Sequence, residues 1–187
     1  MFNILLDDLP TSWNGYPIDS DFQTGIQICQ LLADADFTNT ERAHGATRLL
    51  FPEEIPPVEE SLNALEWFLN EFNHDNHGKE TSNIKIMDWD IDQWRIYSAF
   101  LTQYGINLNQ ERMHWFTFMG LISCLEECAF TRVMEIRKKK VISKMSQEEK
   151  LALKKAKQTY QIVQDKKEEA KEKEDQAVEM FNRLRGR

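Results

Sequence analysis

What this 187-residue sequence lacks bounds its function before anything it contains. No window approaches the roughly 18 consecutive apolar residues that a transmembrane helix requires, so no helical membrane span is expected. Three cysteines, Cys29, Cys124 and Cys128, are too few and too odd in number for a disulfide framework, and they fit a reducing compartment. The seven glycines are scattered and form neither GxGxxG nor GxxxxGK[ST], which leaves no phosphate-cradling loop. The opening MFNILLDDLP has no basic n-region and meets Asp7 and Asp8 at once, so no secretory signal is expected.

Catalytic groupings are absent in the same way. His114 beside Trp115 has no nucleophile or orienting carboxylate near it in sequence, and a catalytic histidine needs both. His74-x-x-His77 with Asp75 resembles a metal pair, but zinc needs three or four rigidly held ligands, and solvated loop histidines account for these better. Asp88-x-Asp90-x-Asp92 lacks the glycine and terminal glutamate of a calcium loop, so helix capping is the preferred account. Cys124 and Cys128, four apart, are read as buried thiols packing as small hydrophobes on one helix face. No catalytic, metal-binding or cofactor-binding residue is expected, and the chain reads as a binding protein rather than an enzyme.

What is present is charge asymmetry and aromatic density. With 41% hydrophobic residues and a mean hydropathy of -0.57, the chain supports one core. Residues 1–131 carry 21 acidic and 6 basic side chains, and residues 132–187 carry 10 acidic and 17 basic, giving -15 and +7. An acidic head repels phosphates, so nucleic acid is not an expected partner. The asymmetry suits a protein of complementary charge or head-to-tail contact; two well-solvated faces explain it equally well. Aromatics concentrate in WDIDQWRIYSAFLTQYGINLNQERMHWFTFMGL, residues 89–121. Rings at helical spacing build a core or a binding surface.

Periodicity and punctuation predict a mainly α fold: a small helical bundle with a short N-terminal β-hairpin and a long charged C-terminal helix. Asn14-Gly15 accepts the positive φ angles of a type I′ hairpin turn, and Pro17 puts its strand at an edge. Asp19-Ser20-Asp21 offers caps for a helix carrying Phe22, Ile26, Cys29 and Leu32. A second helix is capped by Thr40 and ended by Phe51-Pro52. A third, Val58–Phe72, has the stripe Leu62, Leu65, Leu69 and Phe72, widened by Trp67 and Phe68. The polar run 73–83 reads as a loop. A fourth helix, capped by Asp90 or Asp92 and stopped by Gly105, has the stripe Trp94, Tyr97, Leu101 and Tyr104. A fifth starts near Asn109 and pairs with it as an antiparallel hairpin. Most of Trp67, Trp89, Trp94 and Trp115 are expected in the core; one left exposed beside other rings would mark a patch.

A further helix from Cys128 closes on Arg137, Lys138, Lys139 and Lys140, a solvated basic end that complements the helix dipole. These four count as candidate partner contacts. Composition shifts after Ile142, dividing a head, residues 1–142, from a tail, residues 143–187. Ser146 and Glu149 form a capping box, and one helix is read from Ser146 to about Leu184. A weak heptad runs through Ala156, Val163, Ala170, Ala177 and Leu184, interrupted in its alternate row by Lys167 and Glu174. Packing against a partner is preferred over a self-dimerising coiled coil, although a homo-oligomer is compatible with the pattern.

The blocks YPIDSDFQTGIQICQLL, LLFPEEIPPVEESLNALEWFL, WDIDQWRIYSAFLTQYGINL and MHWFTFMGLISCLEECAFTRVMEIR, in this order over residues 1 to about 140, resemble the bacteriophage gene-product-fifteen family of prophages of Gram-positive bacteria. The resemblance implies a role in tail morphogenesis in the host bacterial cytoplasm, with no catalytic residues. It suggests a tail assembly chaperone that holds the tape-measure protein while tail-tube subunits polymerise, with other tail assembly proteins as further partners. Tyr160, Val163, Phe181 and Leu184 are then the candidate contacts with the tape measure. The competing expectation is a structural tail adaptor that remains in the virion.

Overall fold

Asn14 and Gly15, at φ 47° and 90°, form the tight turn that their side chains favour, joining β1 (Ser12–Trp13) to β2 (Tyr16–Pro17). This computed structural model describes residues 3–70 and 85–162. Seven helices follow among them: α1 (Phe22–Ala33), α2 (Asn39–Leu50), α3 (Val58–Asn70), α4 (Gln93–Tyr104), α5 (Trp115–Ser123), α6 (Ala129–Lys138) and α7 (Gln147–Thr159). The fold is mainly α, as the sequence predicts. The chain divides into two units, Met1–Lys139 and Lys140–Arg187.

In the first unit α1 packs on α2 and α5, α2 on α3, and α4 on α6. Its centre is aromatic. Phe118 of α5 stacks on Phe22 of α1 at 4.8 Å and on Phe100 of α4 at 5.1 Å, and it meets Trp89 and Trp115 at about 6 Å. Phe68 of α3 stacks on Trp115 at 6.1 Å. Each such pair adds roughly 0.5–1.5 kcal/mol beyond the area it buries. Gly25 lets α1 approach this cluster, because a Cβ there would overlap the Trp115 indole.

Several expected details change. The α2 cap is Thr38, whose hydroxyl accepts from the Glu41 N–H while the Glu41 carboxylate accepts from the Thr38 N–H; a capping box outcompetes a lone threonine at position 40. The buried face of α3 is Ser61, Ala64, Leu65 and Phe68, with Leu62 exposed. The helix α5 begins at Trp115, not near Asn109, and it does not form a packed antiparallel pair with α4. The connector turns at Asn107, whose carbonyl accepts from Gln110 and Glu111, and α5 packs on α1. The two helices still touch through Phe100 and Phe118, and the Tyr104 hydroxyl donates to the Leu121 carbonyl.

In the second unit Ser146 and Glu149 form the predicted capping box. The helix they start, α7, closes at Thr159, and Tyr160 is its C-cap, donating its N–H to the Ala156 carbonyl. The expected continuation of this helix to about Leu184 lies, from residue 163 on, outside the described residues.

Candidate interaction surface

Two polar nodes hold the first unit in shape. Asp92, fully buried, accepts Nη1 of Arg137 at 2.5 Å and Nη2 at 3.2 Å, and it also accepts Arg95 and the Asp88 N–H. Arg137 Nη1 also donates to the Ile86 carbonyl. This pair ties the start of α4, the last turn of α6 and the segment leading into α4. Arg137 is 5% exposed, so the expectation of a solvated partner contact is corrected for it; Asp92 draws it inward. The same contacts correct the capping reading of the Asp88–Asp92 run. Asp92 is the N-cap residue of α4 but its side chain makes no cap bond, being spent on the arginines. Asp88 instead receives the Asp90 and Ile91 N–H groups. Its partial burial is outweighed by the Lys85 ammonium and these amides, which hold its carboxyl below the usual range.

The second node is His114. Its Nδ1 accepts the Phe116 N–H, capping α5, so the proton sits on Nε2, which donates to the Pro10 carbonyl at 2.9 Å. Backbone bonds Phe22 N–H to Met113 and Trp115 N–H to Ser20 fasten the same region to the start of α1. Burial pushes the imidazole below its usual pKa, opposed by the Pro10 bond. These bonds tie the segment before α1 to the start of α5.

The prominent surface feature is α4. Its core face is Ile96, Ala99 and Phe100, with Tyr97 and Tyr104 packed partly buried at its edge, whereas Trp94 and Leu101 point away from the core. Trp94 is 72% exposed and Leu101 43%. The periodicity predicted the helix correctly, but of its stripe only Tyr97 and Tyr104 reach the core, while Trp94 and Leu101 stand exposed. Trp115 is buried, and Trp67 and Trp89 pack partly buried against the core, so Trp94 is the exposed exception, edge-on to Tyr97 at 5.9 Å. Beside it opens a cleft of about 370 Å³ between α1 and α4. Phe22, Ile96, Leu108 and Phe118 floor it, Ile26, Trp89, Trp94 and Tyr97 wall it, and Gln23, Gln30, Asp90, Gln93 and Asn109 rim it. A second groove, of about 440 Å³, lies against α5 and α6 and is rich in methionine, with Met87, Met119 and Met134.

Lys138, Lys139 and Lys140 are exposed. Tyr160 is half-buried at the end of α7, and Val163, Phe181 and Leu184 lie outside the described residues, as do His74, Asp75 and His77. Cys124 closes α5 and is exposed, whereas Cys128 is the half-buried N-cap of α6. The two thiols therefore do not share a buried helix face, because the chain breaks between them. Cys29 is the thiol that burial affects, pushed up to about 11 despite a bond with Trp89. Among the described residues no group of three or more His, Cys, Asp or Glu could hold a metal ion, and no helix is long and apolar enough to cross a membrane.

Comparison with curated proteins and with solved structures finds no match. The family described as Bacteriophage Gp15 protein matches residues 5–162, which span the aromatic stretch 89–121 and α7. The chain belongs to this bacteriophage family, and it is a phage structural or morphogenesis protein.

Proposed function

We propose that this protein is a non-enzymatic tail assembly chaperone that binds the tape-measure protein in the host cytoplasm while the tail tube forms. The carrying observation is the pair Trp94 and Leu101, which stand exposed on α4 away from the core in a member of a phage family. A face of this kind holds another protein's apolar helix out of water. Other tail assembly proteins are further partners, and the acidic head disfavours nucleic acid. Tyr160, Val163, Phe181 and Leu184 remain candidate contacts in the tail, with exposed Lys138, Lys139 and Lys140 beside them in sequence.

The test is co-expression of the full chain with the neighbouring tape-measure protein, together with mass spectrometry of purified particles. Capture of the tape measure and absence from finished particles support the chaperone. Failure to capture, with the chain present in particles, replaces it with the structural adaptor. A variant with Ser at Tyr160, Val163, Phe181 and Leu184 that captures normally removes the tail from the contact.

A further inference from the structure

We infer that the cleft between α1 and α4, with the exposed side of α4 that continues beyond it, recognises a partner helix whose aliphatic stripe is flanked by a basic residue, with Trp94 at the cleft and Leu101 beyond it taking the stripe and Asp90 the cation. This rests on the chaperone reading and adds the chemistry of the segment that is bound.

The apolar part follows from spacing. Trp94 and Leu101 are seven residues apart on one face, two helical turns or about 10 Å. An occupant lying along them presents side chains at i, i+3 or i+4, and i+7, the pattern of an amphipathic helix. Tyr97 stands between them, and its ring packs edge-on to Trp94, which keeps the indole beside the cleft mouth. Ile26 and Trp89 supply the opposite wall.

The charge preference follows from the rim. Among the residues lining the cleft, Asp90 is the one carboxylate, and no lysine or arginine is present. Gln30 Nε2 donates to Asp90 Oδ1 at 2.7 Å, which orients the carboxylate at the edge of α1. The cation nearest the rim, Arg112, donates to Gln23 at 2.7 Å but is offset by Asp21 at 3.1 Å. Arg95, on α4 itself, is held by the buried Asp92. The surrounding residues 1–131 carry a charge of -15. An acidic helix entering this cleft meets the Asp90 carboxylate as like charge; a basic-flanked one meets its complement.

The experiment uses the full chain and two model helices with one leucine stripe, flanked by lysine in one peptide and by glutamate in the other. Binding is read by fluorescence anisotropy. The lysine-flanked helix should bind at least tenfold more tightly at low salt. Trp94→Ser with Leu101→Ser should abolish its binding while leaving the circular dichroism spectrum and melt unchanged, since both side chains are exposed. Asp90→Asn should cut the preference for lysine about threefold, the effect of one rim charge. Equal binding of both peptides, or binding indifferent to Trp94 and Leu101, overturns the inference. So does a chain that sediments as a dimer and becomes monomeric on Trp94→Ser, because a second copy then occupies the face. Capture of the tape measure is measured in parallel with the same variants. Capture that survives Trp94→Ser with Leu101→Ser refutes this site while sparing the chaperone reading, and wild-type binding of the lysine peptide without capture refutes the chaperone reading while sparing the site.

Discussion

Replacing Arg137 with Met separates the contribution of the buried ion pair from that of simple packing. The thioether fills much of the volume of the arginine stem, so the cavity is small. What is lost is the two-point contact with Asp92 and the bond to the Ile86 carbonyl. Asp92 stays fully buried and is left with the Asp88 N–H and the partly exposed Arg95 in place of two guanidinium partners. Breaking a buried pair from one side costs about 3–5 kcal/mol, a large share of the roughly 5–15 kcal/mol that holds a domain folded. At about 2–4 °C per kcal/mol, the melting temperature should fall by roughly 6–20 °C. Urea denaturation of the full chain measures the same loss as a lower midpoint. Adding Asp92→Leu to Arg137→Met should recover part of it, because the buried carboxylate has gone while Arg95, partly exposed, can turn to water. A single variant within about 1 kcal/mol of the parent would refute the reasoning, and so would a double variant no more stable than the single.

The His114 imidazole must be neutral to cap α5, and its folded pKa lies below the unfolded 6.5 through burial. Its contribution to stability is complete above pH 6.5 and is lost as pH falls from there towards the folded value. Melting temperatures across this interval should drop less steeply in His114→Asn, which caps without titrating; equal slopes would refute the role. Gly25→Ala gains helix propensity but drives its methyl into Trp115, and overpacking should dominate, at about 1–3 kcal/mol of lost stability by urea denaturation. A variant as stable as the parent would show that the indole yields. In a thiol-reagent time course Cys124 should react promptly, whereas Cys29, with its thiol pushed up to about 11, should wait for unfolding.

Local chemistry was legible in the sequence, and long-range choices were not. Asn14-Gly15, Asp21, Gly105 and the Ser146–Glu149 box each act within a few residues, and each does what its type predicts. Thr38 could have been found by the same reasoning, since Glu41 stands three residues on. The core face of α4 could not, because Trp94 and Leu101 share a stripe with Tyr97 and Tyr104 and only the latter two reach the core beside Ile96, Ala99 and Phe100. Periodicity identifies a helix; which stripe is covered depends on neighbours. Asp92 and Arg137 lie 45 residues apart, so neither reveals that the other cancels its charge. The candidate surface was half legible: an exposed ring beside others was the stated sign of a patch, and Trp94 beside Tyr97 supplies it.

The clamp at His114 also sets an order of events on the ribosome. It joins Pro10 to a residue 104 positions later, and its neighbours Met113 and Trp115 bond to the start of α1. The first three helices leave the ribosome well before α5 exists to cover them. At roughly 5–20 residues per second, the stretch from Asn70 to Phe118 takes about 2–10 s to synthesise. Throughout that interval Gly25 faces an empty notch where Trp115 belongs, and Phe22 and Phe68 lack the rings they stack on. The nascent chain is therefore itself a client for protection until α5 emerges.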